Sequence, residues 1–163
     1  MPVSPQTIRR IATPINFSSV SDDGLSWAVH LAQKYQAELI LLHVVPPPTP
    51  IFEIESAMKS EAELALSVLL AKLQAADIKV RGFLLTGTGS VDGQIVRAAR
   101  LERVDLIIVA TRYRRGLSRL FAGSLVSRVI THAHCPVLAV PSRYGRKSAV
   151  KSNWRSCQQR HVS

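Results

Sequence analysis

The residues best suited to chemistry lie in one stretch, IIVATRYRRGLSRLFAGSLVSRV, residues 107–129. It begins as a buried strand and ends as a helix, and the loop between carries Arg112, Arg114, Arg115 and Arg119. A guanidinium offers forked N–H donors that match two phosphate oxygens at once. Gly123 and Ser124 stand where the helix begins, and a helix N-terminus presents unpaired amides and a partial positive charge to an anion. The chemistry suggested is the holding of a phosphorylated ligand. Against it stands the plainer reading of the arginines as a solvated basic loop.

Other candidates resolve into structure. His43 sits within the apolar run LILLHVV, where a buried, hydrogen-bonded histidine is expected. His132 and His134 flank Ala133 at a helix end that favours imidazolium, and no third ligand is identifiable nearby. Cys135 and Cys157 match no metal-ligand spacing, so no metal site is expected, and Cys135 before Pro136 is read as a small core residue at a strand start. TGTGS, residues 86–90, lacks the lysine of a Walker motif and the full dinucleotide spacing; it is read as a turn plus a helix cap at Ser90. SSVSDDG, residues 18–24, suggests helix capping. No serine occupies a nucleophile elbow and no histidine is spaced to act with one, so no catalytic residue is assigned.

The elements that must position these residues follow from the apolar period, which switches repeatedly between strand-like and helix-like. RRIATPI is a first strand, followed by the polar turn NFSSVSDD. Leu25, Ala28, Val29 and Ala32 form the stripe of a first helix. AELILLHVV is a nearly continuous apolar run, typical of a strand buried on both faces of a parallel sheet, and PPPTP ends it. Residues 53–76 form a long helix lined by Met58, Ala62, Ala65, Leu69 and Leu73, with acids early where the dipole favours them. IKVRGFLLTG is a third strand. A third helix follows Ser90 and turns Ile95, Val96 and Ala99 inward. VDLIIVA is a fourth strand, GSLVSRVITHA a fourth helix, and CPVLAV a fifth strand ending at Pro141.

Strands alternating with helices predict an α/β fold with a parallel sheet covered on both faces. Ligands in such sheets sit outside the carboxyl ends of the strands. Here that edge comprises TPINFS, HVVPPP, TGTGS and ATRYRRG.

The chain has 163 residues, 47% of them hydrophobic, which is enough for one domain with a substantial core. Its apolar runs, residues 39–45 and 106–110, fall well short of the roughly 20 residues of a membrane span. The start MPVSPQTIRR shows no export signal, so a cytoplasmic protein is expected. Net charge is +10, and six of those charges (Arg143, Arg146, Lys147, Lys151, Arg155 and Arg160) fall in an acid-free tail. Such a tail is read as a solvated extension, able to attract nucleic acid or anionic lipid without sequence preference.

Three segments, IATPINFS, LILLHVVPPP and VDLIIVATRYRRGLSRLFAGSLVSRVITHAHCPVLAVP, resemble the universal stress protein family in order and spacing, over about residues 8–141. The resemblance implies a three-layer sandwich of Rossmann-like, adenine nucleotide alpha hydrolase-like kind, with a five-stranded parallel sheet flanked by four helices. Residues 1–7 are then an N-terminal extension and residues 142–163 the basic tail.

In nucleotide-binding members of that family, glycines close backbone amides around the phosphates. This chain keeps Gly123 and Ser124 but places Ala110 and Tyr113 at the two earlier glycine positions. Ala110 is a mild change where φ is negative, whereas Tyr113 puts a ring where space is needed. Asn16 replaces the family's acid after the first strand and offers no negative charge to a ribose. Val44 at the end of the second strand is retained.

The resemblance thus implies a site among Pro14, Ile15, Asn16, Val44, Ala110, Arg114, Gly123, Ser124 and Leu125, with ATP or another adenine nucleotide as its ligand. It also implies a homodimer through Pro136, Val137, Leu138, Ala139 and Val140. The expected function is a non-enzymatic stress-response protein with a degenerate ATP-binding loop. The alternative is a nucleotide sensor, or slow ATP hydrolase, that holds phosphate by its arginines.

Overall fold

The structure, a computed structural model, describes residues 7–45, 52–112 and 125–142. Five strands form one sheet: β1 (Arg10–Pro14), β2 (Glu38–Val44), β3 (Val80–Leu85), β4 (Leu106–Arg112) and β5 (Val137–Ser142). Their order is β3-β2-β1-β4-β5 and every pairing is parallel. The helices are α1 (Ser19–Tyr35), α2 (Phe52–Ala75), α3 (Val91–Leu101) and α4 (Leu125–His132). The chain leaves β1 toward β2 and β3 on one side, then returns to build β4 and β5 on the other. That reversal opens a crevice beyond the ends of β1 and β4.

Alternation along the strands divides the core in two. Ile11, Leu39, Leu41, Leu106 and Ile108 face α1 and α2, where they meet Leu25, Ala28, Ala32 and Leu66. Ala12, Ile40, Leu42, Ile107 and Val109 face α3 and α4, where they meet Ile95, Val96, Ala99, Val126 and Val129. Both faces of β2 and β4 are therefore apolar, which explains their unbroken hydrophobic sequence. The one polar side chain in β1's core, Thr13, donates its hydroxyl to the Ile108 carbonyl at 2.9 Å, across 95 residues of sequence.

Three helices end the same way without glycine. Gln36, Asp77 and Arg103 take left-handed backbone, with φ of 52°, 60° and 51°. The amide after each one bonds back to the final turn: Ala37 to Ala32, Ile78 to Leu73 and Val104 to Ala99, at 2.9, 3.0 and 2.9 Å. Left-handed backbone costs a non-glycine residue about 1 kcal/mol. Burial of Ala37, Ile78 and Val104 directly behind these turns offsets that strain.

At the opposite edge from the crevice, Arg81 spans Glu38 and Glu102, each at 2.8 Å. Arg81, hydrogen-bonded to Glu38, outweighs partial burial and holds the Glu38 carboxyl below its ordinary range. The Asp105 carboxylate accepts the amides of Arg9 and Arg10 at 2.8 and 2.9 Å, tying β1's entry to β4's.

Element boundaries differ from the sequence expectation in particular ways. The segment expected as a turn, NFSSVSDD, is helical from Ser19, because Asn16 and Ser18 complete the turn earlier. Met58, expected on the inner stripe of α2, is 39% exposed, whereas Ala62 is buried as expected and Leu66, which was not expected there, is buried with it. Strand β5 passes through Pro141 to Ser142; as an edge strand it can accept a residue without an amide hydrogen.

Candidate functional site

The crevice at the strand ends holds a cavity of about 290 Å³. Six of the expected residues line it: Pro14, Ile15, Asn16, Val44, Ala110 and Leu125. Ser21, Leu42, Val91, Ile95 and Val109 complete its wall. Arg114, Gly123 and Ser124 lie outside the described residues, as do Tyr113 and the basic tail from residue 143.

The β1 side of the cavity is held by main-chain bonds. The Ile15 amide donates to the Leu42 carbonyl at 2.9 Å. His43 Nδ1 lies 2.9 Å from the Ile15 carbonyl, which can only accept, so that nitrogen carries the proton. Phe17 rests its ring on the His43 imidazole, with centroids 4.9 Å apart, and takes a left-handed φ of 56°. His43 is therefore a fastening for the β1–α1 turn, hydrogen-bonded as expected but only part-buried.

Asn16 is, with Ser21, a polar side chain of the cavity wall. Its Oδ1 accepts both the Ser18 amide, at 3.2 Å, and the Ser18 hydroxyl, at 2.7 Å. The carboxamide oxygen is thus engaged in shaping the turn, and the group it turns outward is the Nδ2 donor. An aspartate there could make the same two bonds and keep its second oxygen as an acceptor.

Ala110, at the first altered glycine position, stays in the extended backbone of β4 and is not among the residues of positive φ. Its methyl meets α1: a methyl built on Gly24 would stand 3.1 Å from it and 3.2 Å from the Ala110 nitrogen. Gly24 supplies the room that the alanine needs. The methyl packs against the facing helix at Gly24.

The far wall comes from α3 and α4. TGTGS forms a turn, with Gly87 at φ 155°, and the Ser90 hydroxyl accepts the Gly93 amide at 3.3 Å. Asp92, in the first turn of α3, is buried, and Arg128 Nε of α4 donates to its Oδ1 at 2.7 Å. Burial would raise the Asp92 carboxyl, but bonds from Arg128, its own amide and Ser90 outweigh it and hold the carboxyl below its ordinary range.

A second cavity of about 300 Å³ lies between α1 and α2 on the other face of the sheet. Of the expected residues only Ile15 reaches it, so the crevice cavity is the one that gathers the site. Among the described residues no group of three His, Cys, Asp or Glu side chains could hold a metal, and no described helix is long and apolar enough to cross a membrane. His132 Nδ1 is engaged with the Arg128 carbonyl at 2.9 Å. Cys135 is half-buried, and that burial, with Asp105 nearby, pushes its thiol up.

Of the lining residues missing from the sequence expectation, Ser21 is polar, its hydroxyl donating to the Ser18 carbonyl at 2.8 Å, and the rest are apolar. Leu42 and Val109 belong to strands that are apolar on both faces. Ile95 was expected to face inward from α3, but nothing in its type says that it borders a cavity as well as a core.

The family model for the universal stress protein family matches residues 7–141. A universal stress protein of Methanocaldococcus jannaschii is 31% identical over 140 residues, covering 81% of each chain. A universal stress protein family structure from Burkholderia pseudomallei superposes with a TM-score of 0.68 at 24% identity, over 85% of this chain and 99% of that one. A universal stress protein of Archaeoglobus fulgidus, solved in complex with dAMP, superposes with a TM-score of 0.62 at 18% identity, over 83% and 99%.

Proposed function

The chain belongs to the universal stress protein family, and from that premise we propose that it is a dimeric, non-enzymatic stress-response protein whose crevice takes the adenosine part of an adenine nucleotide. The observation that carries this reading is the cavity itself: Pro14, Ile15, Asn16, Val44, Ala110 and Leu125, from four separate elements and the turn after β1, line one space. At about 290 Å³ it approaches the lower bound, about 300 Å³, of ordinary small-molecule sites. The Archaeoglobus fulgidus relative, whose fold is the same, was solved with dAMP.

On this reading the base and ribose supply most of the affinity, since Tyr113 interrupts the glycine cradle expected to hold the phosphates. Calorimetric titration of protein freed of carried-over nucleotide should give adenosine and ATP dissociation constants within about fivefold, a difference near 1 kcal/mol, with no phosphate released from ATP. ATP binding far more tightly, and weakened by Arg114→Ala, would replace this reading with phosphate capture by the arginine-rich loop. No binding of either ligand would end it. Asn16→Asp should tighten adenosine about fivefold, because a charged acceptor adds about 1 kcal/mol over a neutral one.

The dimer would form along β5. That strand lies at the sheet edge with only β4 beside it, and Leu138 on it is 36% exposed. An uncovered apolar edge invites pairing with another chain. Sedimentation should give twice the 17.9 kDa subunit mass, and Leu138→Lys should shift it to the monomer; a monomeric parent chain would refute the pairing.

A further inference from the structure

We propose that the cavity between α1 and α2 is a second binding site, which takes a medium-chain carboxylate with its aliphatic tail against the walls and its anionic end at Lys72. The space measures about 300 Å³, the size at which ordinary small-molecule sites begin. Its walls are apolar, formed by Ile15, Phe17, Leu25, Ala65, Val68 and Leu69. Two of these side chains are left open to water, Phe17 at 43% and Val68 at 45% exposed. An aliphatic chain lying across them would remove that surface from water, which strengthens binding by up to about fourfold for each buried methylene. The wall nearest the sheet is already built: the Ile15 amide is bonded to the Leu42 carbonyl, and the Phe17 ring rests on His43. Binding therefore need not order it.

The polar part of the lining decides the sign of the ligand. It consists of Ser21, Asp22 and Lys72. The Ser21 hydroxyl is committed, donating to the Ser18 carbonyl at 2.8 Å, and Asp22 is likewise engaged within the molecule. Lys72 is half-buried and makes no ion pair among the described residues. An ammonium group beside apolar walls is a ready partner for a carboxylate. Asp22 lies in the first turn of α1 and Lys72 in the last turn of α2. Both helices run away from the crevice edge, so a carboxylate held at Lys72 is set back from the acid. Only Ile15 and Ser21 border both this space and the crevice, and the proposal does not depend on the nucleotide reading.

The test titrates butanoate, hexanoate, octanoate, octanol and octylamine into the full chain by calorimetry, with thermal melts of each variant alongside. Affinity should rise about two- to fourfold for each methylene added between butanoate and octanoate. Octanoate should bind about fivefold more tightly than octanol, the strength of a partly exposed ion pair, and octylamine should bind more weakly than either. Lys72→Gln should remove the advantage of octanoate and leave octanol within about twofold of its parent value. Ala65→Phe places a ring in this cavity without touching the crevice wall and should abolish binding of both. Lys72→Gln alters a half-exposed helix residue, so it decides the matter if Ala65→Phe folds poorly. Octylamine binding as tightly as octanoate would move the anchor to Asp22 and overturn the proposal. Octanoate binding that ignores chain length, survives Ala65→Phe in folded protein, or is unchanged by Lys72→Gln would overturn it too, as would no binding at all.

Discussion

Ile95→Ala is expected to lower the unfolding free energy by about 3 kcal/mol, within the range for emptying a fully enclosed aliphatic site, and to weaken adenosine binding in the same protein. Ile95 is 0% exposed and packs with Ile40, Leu42 and Ile107 beneath α3, and it also lines the crevice cavity. Its removal joins a packing defect to the ligand site. Denaturant titration gives the stability, and calorimetry on the folded fraction gives the affinity. A stability loss under about 1 kcal/mol would mean that the surrounding side chains close over the gap; unchanged affinity would mean that the ligand does not lean on this wall.

The second large effect is expected at Gly24. Gly24→Val should cost about 2 kcal/mol by overpacking, although valine is ordinarily a better helix residue than glycine. The first atom of any side chain there meets the Ala110 methyl at 3.1 Å and the Ala110 nitrogen at 3.2 Å. The nitrogen belongs to β4, which is held by β5 at this position, where Ala110 pairs with Val140, and by β1 nearer its start, so α1 is the element expected to move. Because Ala110 and the β1–α1 turn border the cavity, affinity for adenosine should fall as well. Ala110→Gly introduced beside Gly24→Val should restore part of the stability. Additive losses in that pair would show that the crowding lies elsewhere.

The layered fold was legible because its two signals are strong in this chain. LILLHVV and VDLIIVA are apolar on both faces, which only a covered parallel strand requires, and the helices between them repeat at 3.6 residues. Helix ends were harder to place. Gln36, Asp77 and Arg103 close their helices in left-handed backbone, and their residue types do not announce such a turn as glycine would. The reason for the closure lies one residue later, in the burial of Ala37, Ile78 and Val104, which depends on tertiary packing. Met58 and Leu66 show the same limit on α2: two apolar sites a little over two turns apart exchange roles according to how the helix is rolled on the sheet.

The candidate site divides along similar lines. Pro14, Asn16 and Val44 could be named from motif positions at strand ends. The role of Asn16 as a turn-former, with its oxygen taken by Ser18, required coordinates. Gly24 was invisible in this respect, since it lies 86 positions before Ala110, at the distance seen only when α1 crosses β4. The Asp92–Arg128 pair was equally hidden, because 36 residues separate its members and neither has a motif of its own.

The 95-residue separation of the Thr13–Ile108 bond bears on how the molecule comes into being. During translation β1, β2 and β3 emerge first and can align, but the fourth strand needed beside β1 is made only after β3 and α3. Until residues 106–112 leave the ribosome, the middle of the finished sheet is a raw margin whose amides have no neighbour. The nascent half-sheet is then the form of this protein most open to chaperones, or to pairing with the wrong strand.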